Sequence, residues 1–76
     1  MKKTITSHDY QNLVAWLKQA RVDQQLSMRD LAEKIRKPHS FVQRIETLER
    51  RLDIHEYCLY CKALGLDPKK GIDFFN

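Results

Sequence analysis

The sequence is short of the residues that interrupt or cross-link a chain. Two glycines and two prolines among 76 residues leave few points at which a helix must break, and no repeat, low-complexity segment or linker is visible. The two cysteines are too few for a disulfide framework and indicate a reduced, cytoplasmic protein. No apolar run approaches the ~18 residues that a membrane span needs, and no signal-peptide core is present.

Signals for β-strands are missing as well. Alternation of apolar and polar side chains is confined to short stretches such as residues 25–29 and 51–55, and neither Asn-Gly nor Asp-Gly occurs as a hairpin turn. The sequence therefore predicts an all-α fold.

The size of the chain argues against most enzymes. Its 76 residues predict a single domain over residues 1–76, with a core at about 7–75. Such a domain buries only about 60–65% of the surface of its unfolded chain, so a substrate cavity of several hundred cubic ångströms would displace core that it can barely fill. A hydrophobic content of 42% is nevertheless enough for a globular core. We expect a globular domain that is not an enzyme and needs no cofactor or metal.

Positive charge is in excess and is unevenly placed. Lys and Arg number 14 against 10 Asp and Glu, for a formal net charge of +4. The span from Arg36 to Arg51 holds five of these cations and two acids (Glu46 and Glu49), a net of +3. Such a concentration is what a polyanionic partner favours.

Two capping boxes predict where helices begin. Ser27 with Asp30, and Asp53 with Glu56, place a capping side chain and an acidic residue three positions apart. In this arrangement each side chain accepts a hydrogen bond from the backbone N–H of the other residue, which would have no partner at a helix start.

Other residues mark the remaining helix ends. Thr6 or Ser7 is predicted to cap the first helix, and Pro38 to begin the third, where its missing N–H costs nothing. Gly65 is predicted to end the fourth helix as a left-handed cap, and residues 67–75 to form one more short turn or helix. Residues predicted to face the core, helix by helix, are Tyr10, Leu13, Leu17 and Ala20, with Trp16 beside them; Leu31, Ala32 and Ile35; Phe41, Val42 and Ile45; and Ile54, Tyr57, Cys58, Cys61 and Leu64.

The centre of the sequence predicts two helices that cross steeply. Ala32 is small enough to let the helices approach closely, and the branched side chains of Val42 and Ile45 can fill the crossing. The connection at residues 36–38 is too short for a parallel hairpin. This is the geometry with which a helix-turn-helix projects its second helix into a DNA major groove.

From Leu13 to Phe75 the chain resembles the helix-turn-helix domain of lambda repressor, Cro and Xre-like regulators. The resemblance rests on Leu26-Ser27, Leu31-Ala32-Glu33-Lys34-Ile35, Val42, Arg44-Ile45-Glu46 and Cys61-Lys62-Ala63-Leu64-Gly65-Leu66-Asp67-Pro68. It implies a compact, all-α, lambda-repressor-like domain of four to five helices. It also implies a transcriptional repressor that binds a near-palindromic operator as a homodimer, reading the major groove with the helix near residues 38–47.

Three positions depart from the family pattern. Arg36 occupies the bend where the family has glycine, which a side chain tolerates if the backbone there is not left-handed. Pro38 replaces the Ser or Thr that caps the third helix, and Met28 replaces a phosphate-binding Gln. The phosphate contact near Met28 is then expected from Arg29 or from the helix amides.

The resemblance assigns roles to eight residues. Base contacts are expected from His39, Ser40, Gln43 and Arg44, and backbone contacts from Arg29, Lys37, Arg50 and Arg51. Arg44 suits a guanine edge, because its planar fork can bond both acceptors there. Phosphate contacts orient a protein on DNA without specifying sequence. Residues 1–3 are either an arm that touches phosphate or a disordered start.

Several alternatives remain open from the sequence. The chain could be an antitoxin or regulatory adaptor on the same fold, whose main partner is a protein. Cys58 and Cys61 have the spacing of a metal or redox pair, but no second pair of ligands accompanies them, so both are predicted to be buried. His8 and His55 are predicted to lie on the surface. The aromatic and apolar residues near the C-terminus either form a self-association patch or close the bottom of the domain: Tyr57, Tyr60, Ile72, Phe74 and Phe75.

Overall fold

A computed structural model describes residues 5–76, which form five α-helices and a final 3₁₀ turn. The helices are α1 (His8–Asp23), α2 (Met28–Lys34), α3 (His39–Glu46), α4 (Ile54–Leu64) and α5 (Pro68–Ile72), and the 3₁₀ turn covers Asp73–Phe75. These residues contain no strand, so the predicted all-α fold is confirmed. The predicted contact from residues 1–3 lies outside the described residues.

The predicted helix starts are confirmed at their caps. The Ser7 hydroxyl accepts the Tyr10 N–H at 3.3 Å, and both capping boxes are complete. Pro38 is a small correction, because it precedes α3 rather than beginning it. Its ψ of 154° is extended, and no side chain caps the helix there.

Within residues 5–76, four turns of the backbone are left-handed, and only one of them uses glycine. Gly65 ends α4 with φ 69°, as predicted. Gln25, Arg36 and Leu48 have φ of 58°, 57° and 65° and each follows a helix. At Arg36 the backbone is left-handed, so the condition under which a side chain would be tolerated there is not met. A side chain in a left-handed backbone costs about 1–2 kcal/mol, which the surrounding packing must offset.

The core lies where α2 and α3 cross against α1 and α4. Ala32, Val42 and Ile45 are all buried at this crossing, as predicted. The largest side chains with essentially no exposure are Tyr60, Leu17, Leu31, Ile45, Val42 and Cys61. Ile5 extends the core before α1, and its backbone N–H donates to the Leu48 carbonyl at 2.8 Å.

Two predictions for α4 are wrong, because the buried face is rotated. Cys58 is exposed and Ile54 is 72% exposed, whereas Glu56 and Tyr60 are buried. Successive residues turn by about 100° around a helix, so Cys58 falls outside the arc that Tyr57, Tyr60, Cys61 and Leu64 place against the core. Ile54 lies in the first turn, at the edge of a surface cleft.

The C-terminal segment packs under α1 and α4. The Tyr57 hydroxyl donates a hydrogen bond to the Pro68 carbonyl, and Gly71 is buried beneath Tyr57, Leu13 and Trp16. Trp16 meets Phe74 edge to face, with ring centroids 5.9 Å apart. No helix among residues 5–76 is long and apolar enough to cross a membrane.

Candidate nucleic-acid interface

One face of α3 is exposed and polar. His39, Ser40, Gln43 and Arg44 all lie on the surface, while the opposite side of the helix is buried. The spacing of one, three and one residues places these four side chains on a single face. The structure therefore brings together all four residues that were predicted to contact bases.

A buried ion pair holds the C-terminal end of α3 in place. The Arg21 side chain on α1 donates two hydrogen bonds to the Glu46 carboxylate, at 2.6 and 2.9 Å, and a third to the Leu26 carbonyl at 2.6 Å. Both side chains are under 10% exposed, at 9% and 5%. This contact ties α3 to α1 and to the loop before α2. It also occupies both oxygens of the Glu46 carboxylate.

Two cations lie over one ring at the start of α3. The Lys37 ammonium is 5.4 Å from the centroid of the Phe41 ring, and the Arg50 guanidinium carbon is 4.7 Å from it. Attraction between a cation and an aromatic face holds such side chains near the ring. Two of the predicted backbone-contacting residues thus lie close to the same ring of α3.

Arg50 is fixed further by an acid that the sequence prediction did not include. Its guanidinium donates to both oxygens of Glu56, at 2.8 and 2.9 Å. This bond lowers the pKa of Glu56 from its ordinary value to about 2 and raises the pKa of Arg50. The Arg50 side chain is still 41% exposed, so part of it faces solvent.

Tyr10 holds the segment that carries Arg50. Its hydroxyl donates to the Arg50 carbonyl at 3.3 Å and accepts the Leu52 N–H at 3.1 Å. The pKa of Tyr10 is raised, mainly because its hydroxyl is buried. The remaining predicted backbone contacts, Arg29 in the first turn of α2 and Arg51, are exposed. Met28, which replaces the phosphate-binding Gln of the family, is half-buried and packs against the core.

The sequence of this helical unit matches a known family. Residues 17–70 match the helix-turn-helix family, which is more than half of the chain. The chain belongs to the XRE-type helix-turn-helix family. This is a family of DNA-binding regulatory domains, and the predicted resemblance is confirmed.

Solved structures agree with this membership. An XRE-family like protein from Pseudomonas syringae pv. tomato is 35% identical, with a TM-score of 0.79 over 86% of this chain and 79% of that one. The clp gene regulator ClgR from C. glutamicum has the same fold, with a TM-score of 0.78, 22% identity, and coverage of 91% of this chain and 90% of that one. The curated proteins include no significant match.

The two cysteines of this XRE-type domain differ in their exposure. Cys61 is buried and Cys58 is exposed, and burial raises the pKa of the Cys61 thiol. No group of three or more His, Cys, Asp or Glu side chains within residues 5–76 is placed to hold a metal ion. His8 and His55 are exposed, as predicted.

The sequence did not predict most of the residues that hold the helix-turn-helix in place. Arg21 lies four residues after Leu17, in line with the apolar stripe of α1, and this position was the available signal for a buried cation. Nothing local indicated that its partner is Glu46, because the two residues are 25 positions apart. Glu56 was recognised as a helix cap, but its second role as the partner of Arg50 was not.

Proposed function

We propose that this XRE-type domain is a sequence-specific transcriptional repressor that inserts α3 into the major groove of an operator. The observation that carries the proposal is the exposed face of α3, which presents four polar side chains together. The ion pair between Arg21 and Glu46 holds this helix against α1. A helix in the major groove needs such a face, because base edges there present donors and acceptors. The domain would act by occupying promoter DNA, and its place of action would be the cytoplasm.

Within this proposal the four residues have different tasks. Arg44 reads a guanine edge, and Gln43 pairs with adenine. His39 and Ser40 contact a base or a phosphate at the start of α3.

The DNA backbones on either side are contacted by a second set of residues: Arg29, Lys37, Arg50 and Arg51. Because Arg50 is already paired with Glu56, its contact would be a geometrically fixed one.

We further propose that the repressor works as a homodimer. One small domain offers few base contacts, whereas a two-fold dimer places two α3 helices about 34 Å apart, one turn of DNA. Support comes from an apolar cleft between α1, α4 and the C-terminal turn. Tyr57 and Tyr60 are buried in the core, but Ile54, Ile72 and Phe75 stay 72%, 48% and 45% exposed around this cleft.

Selection of bound sequences from random duplex DNA tests binding, symmetry and half-site spacing together. We expect a near-palindromic consensus whose half-sites are centred about one helical turn apart. Affinity for the selected operator should fall steeply with salt, because Lys and Arg contacts to phosphate release counterions. Recovery of no sequence preference, together with a salt slope near zero, would contradict the proposal.

A further inference from the structure

A groove between the end of α2 and the second half of α4 is unused by the proposed function. We call it the α2–α4 groove and define it by its six lining residues: Lys34, Ile35, Arg36, Leu59, Lys62 and Ala63. Its volume is about 500 Å³. None of the eight residues proposed to contact DNA lines it.

The groove has an apolar floor and a cationic rim. Ile35 is buried, and Leu59 and Ala63 are half-buried, whereas the two lysines and Arg36 are exposed. No lining residue is acidic, and within residues 5–76 none of the three cations forms an ion pair. Three positive charges therefore surround an apolar surface that has no carboxylate in its own lining; an acid that acts on one of them is Asp30, one helical turn before Lys34.

The backbone holds one of these cations in a strained position. Arg36 has φ 57°, so an arginine side chain stands at a bend that a glycine would form without strain. Strain of this kind persists where the rest of the fold imposes it, and it accumulates at sites that bind or switch. Here it places the guanidinium at the rim of the groove.

We propose that the α2–α4 groove binds an acidic segment of a partner protein. An aliphatic side chain of that segment lies on Leu59 and Ala63, and flanking carboxylates pair with Lys34, Arg36 and Lys62. Charge complementarity selects an acidic partner, and the apolar floor favours a peptide over DNA, because phosphate and sugar bring no aliphatic side chain to bury. The proposal is independent of operator binding.

The test uses the full chain, labelled with ¹⁵N, and a short synthetic peptide that carries leucine between glutamates. We expect the largest shifts of backbone amide signals at Ile35, Leu59 and Lys62. A peptide with serine in place of leucine, and one with glutamine in place of glutamate, should each bind more weakly by about tenfold or more. Shifts confined to α3, no shifts at all, or equal affinity for the three peptides would overturn the proposal.

Paired variants separate this groove from the DNA interface. Replacing both rim lysines, as Lys34→Gln with Lys62→Gln, should weaken the leucine peptide by about tenfold or more and leave operator affinity within about twofold. The control Lys18→Gln removes an exposed lysine of α1 and should change neither affinity. If the paired variant weakens operator binding while peptide binding is unchanged, the groove is a phosphate site and the proposal is wrong.

Discussion

Arg44 lies in the last turn of α3, and Lys37 lies two residues before the helix begins. The two residues differ in whether neighbouring side chains contact their charged groups. The Arg44 guanidinium is exposed, and no hydrogen bond or ion pair within residues 5–76 occupies it. Lys37 is half-buried and lies over the Phe41 ring. A guanidinium without a bound partner can donate two hydrogen bonds to the edge of a base. An ammonium held at an aromatic ring suits a phosphate contact, which depends on charge and not on base identity.

Arg44→Ala should therefore cost about 1–3 kcal/mol of operator affinity and relax the preference at one base pair. Lys37→Ala should weaken binding to all sequences about equally and reduce the salt slope by about 1. Titrations of both variants against the operator and single-base substitutions of it measure the difference. A uniform loss from Arg44→Ala would remove it from the set of base-reading residues.

Glu56 makes the stability of the domain depend on acid pH. Its pKa is lowered in the folded chain to about 2, first by the hydrogen bonds from Arg50 and then by the Asp53 backbone N–H, while burial opposes the shift. The unfolded chain binds its proton more readily, so the stabilising contribution is present above pH of about 4.5. It is lost progressively as the pH falls toward the folded value.

Denaturant unfolding between neutral pH and about pH 2 tests this linkage. We expect the wild-type free energy of unfolding to fall more steeply through this range than that of Glu56→Gln, which has no proton to bind there. Asp53→Asn is a useful comparison, because it removes a neighbouring charge but leaves the Arg50–Glu56 pair. Parallel curves for the wild type and Glu56→Gln would show that the pair adds no acid dependence.

Among the helices, the short α5 is stabilised by close packing against its neighbours and not by its own backbone hydrogen bonds. Five residues make a helix that would not persist alone, so its stability comes from packing against α1 and α4. A Cβ atom at Gly71 would lie 2.2 Å from the Tyr57 hydroxyl and 2.8 Å from both Leu13 and Trp16. The absence of a side chain at this position permits the approach.

Gly71→Ala should destabilise the domain by about 1–3 kcal/mol, because well-packed cores relax poorly around added atoms. Gly65→Ala is the matched control, since its Cβ would meet nothing within 4 Å although its φ is 69°. That variant should cost only about 1 kcal/mol, from the left-handed backbone alone. Thermal unfolding of both variants checks this, and a Gly71→Ala variant as stable as the wild type would mean that crowding at Gly71 contributes nothing.

For the whole molecule, the proposed homodimer has the exposed apolar cleft as its interface. Ile54→Ser should shift the chain toward monomer and weaken binding to the full operator, while binding to an isolated half-site is retained. Val22→Ser is the control, because Val22 is another exposed apolar residue, 49% exposed, and does not line the cleft. Sedimentation velocity and operator titrations measure both properties. If Ile54→Ser behaves like the control, the cleft does not form the dimer interface.

Much of the fold was predictable because its determinants are local. Capping boxes such as Ser27 with Asp30 act over three residues, and apolar spacing identified the crossing of α2 and α3. Periodicity placed Gln43 and Arg44 away from the buried side of α3, and the family resemblance supplied the rest of its exposed face. The buried face of α4 was misjudged, since Cys58 and Tyr60 are both compatible with an amphipathic helix and only the packing against α1 and α3 selects between them.

The sequence by itself determined the helices, their boundaries and the side chains that α3 presents, since each depends on residues within one or two turns. The tertiary structure decided what holds that helix in place, through the pairing of Arg21 with Glu46 and of Arg50 with Glu56. It also decided that three cations would border an apolar groove. Side chains distant in sequence meet only when the helices have packed, and no local pattern encodes which of several charges will then be neighbours.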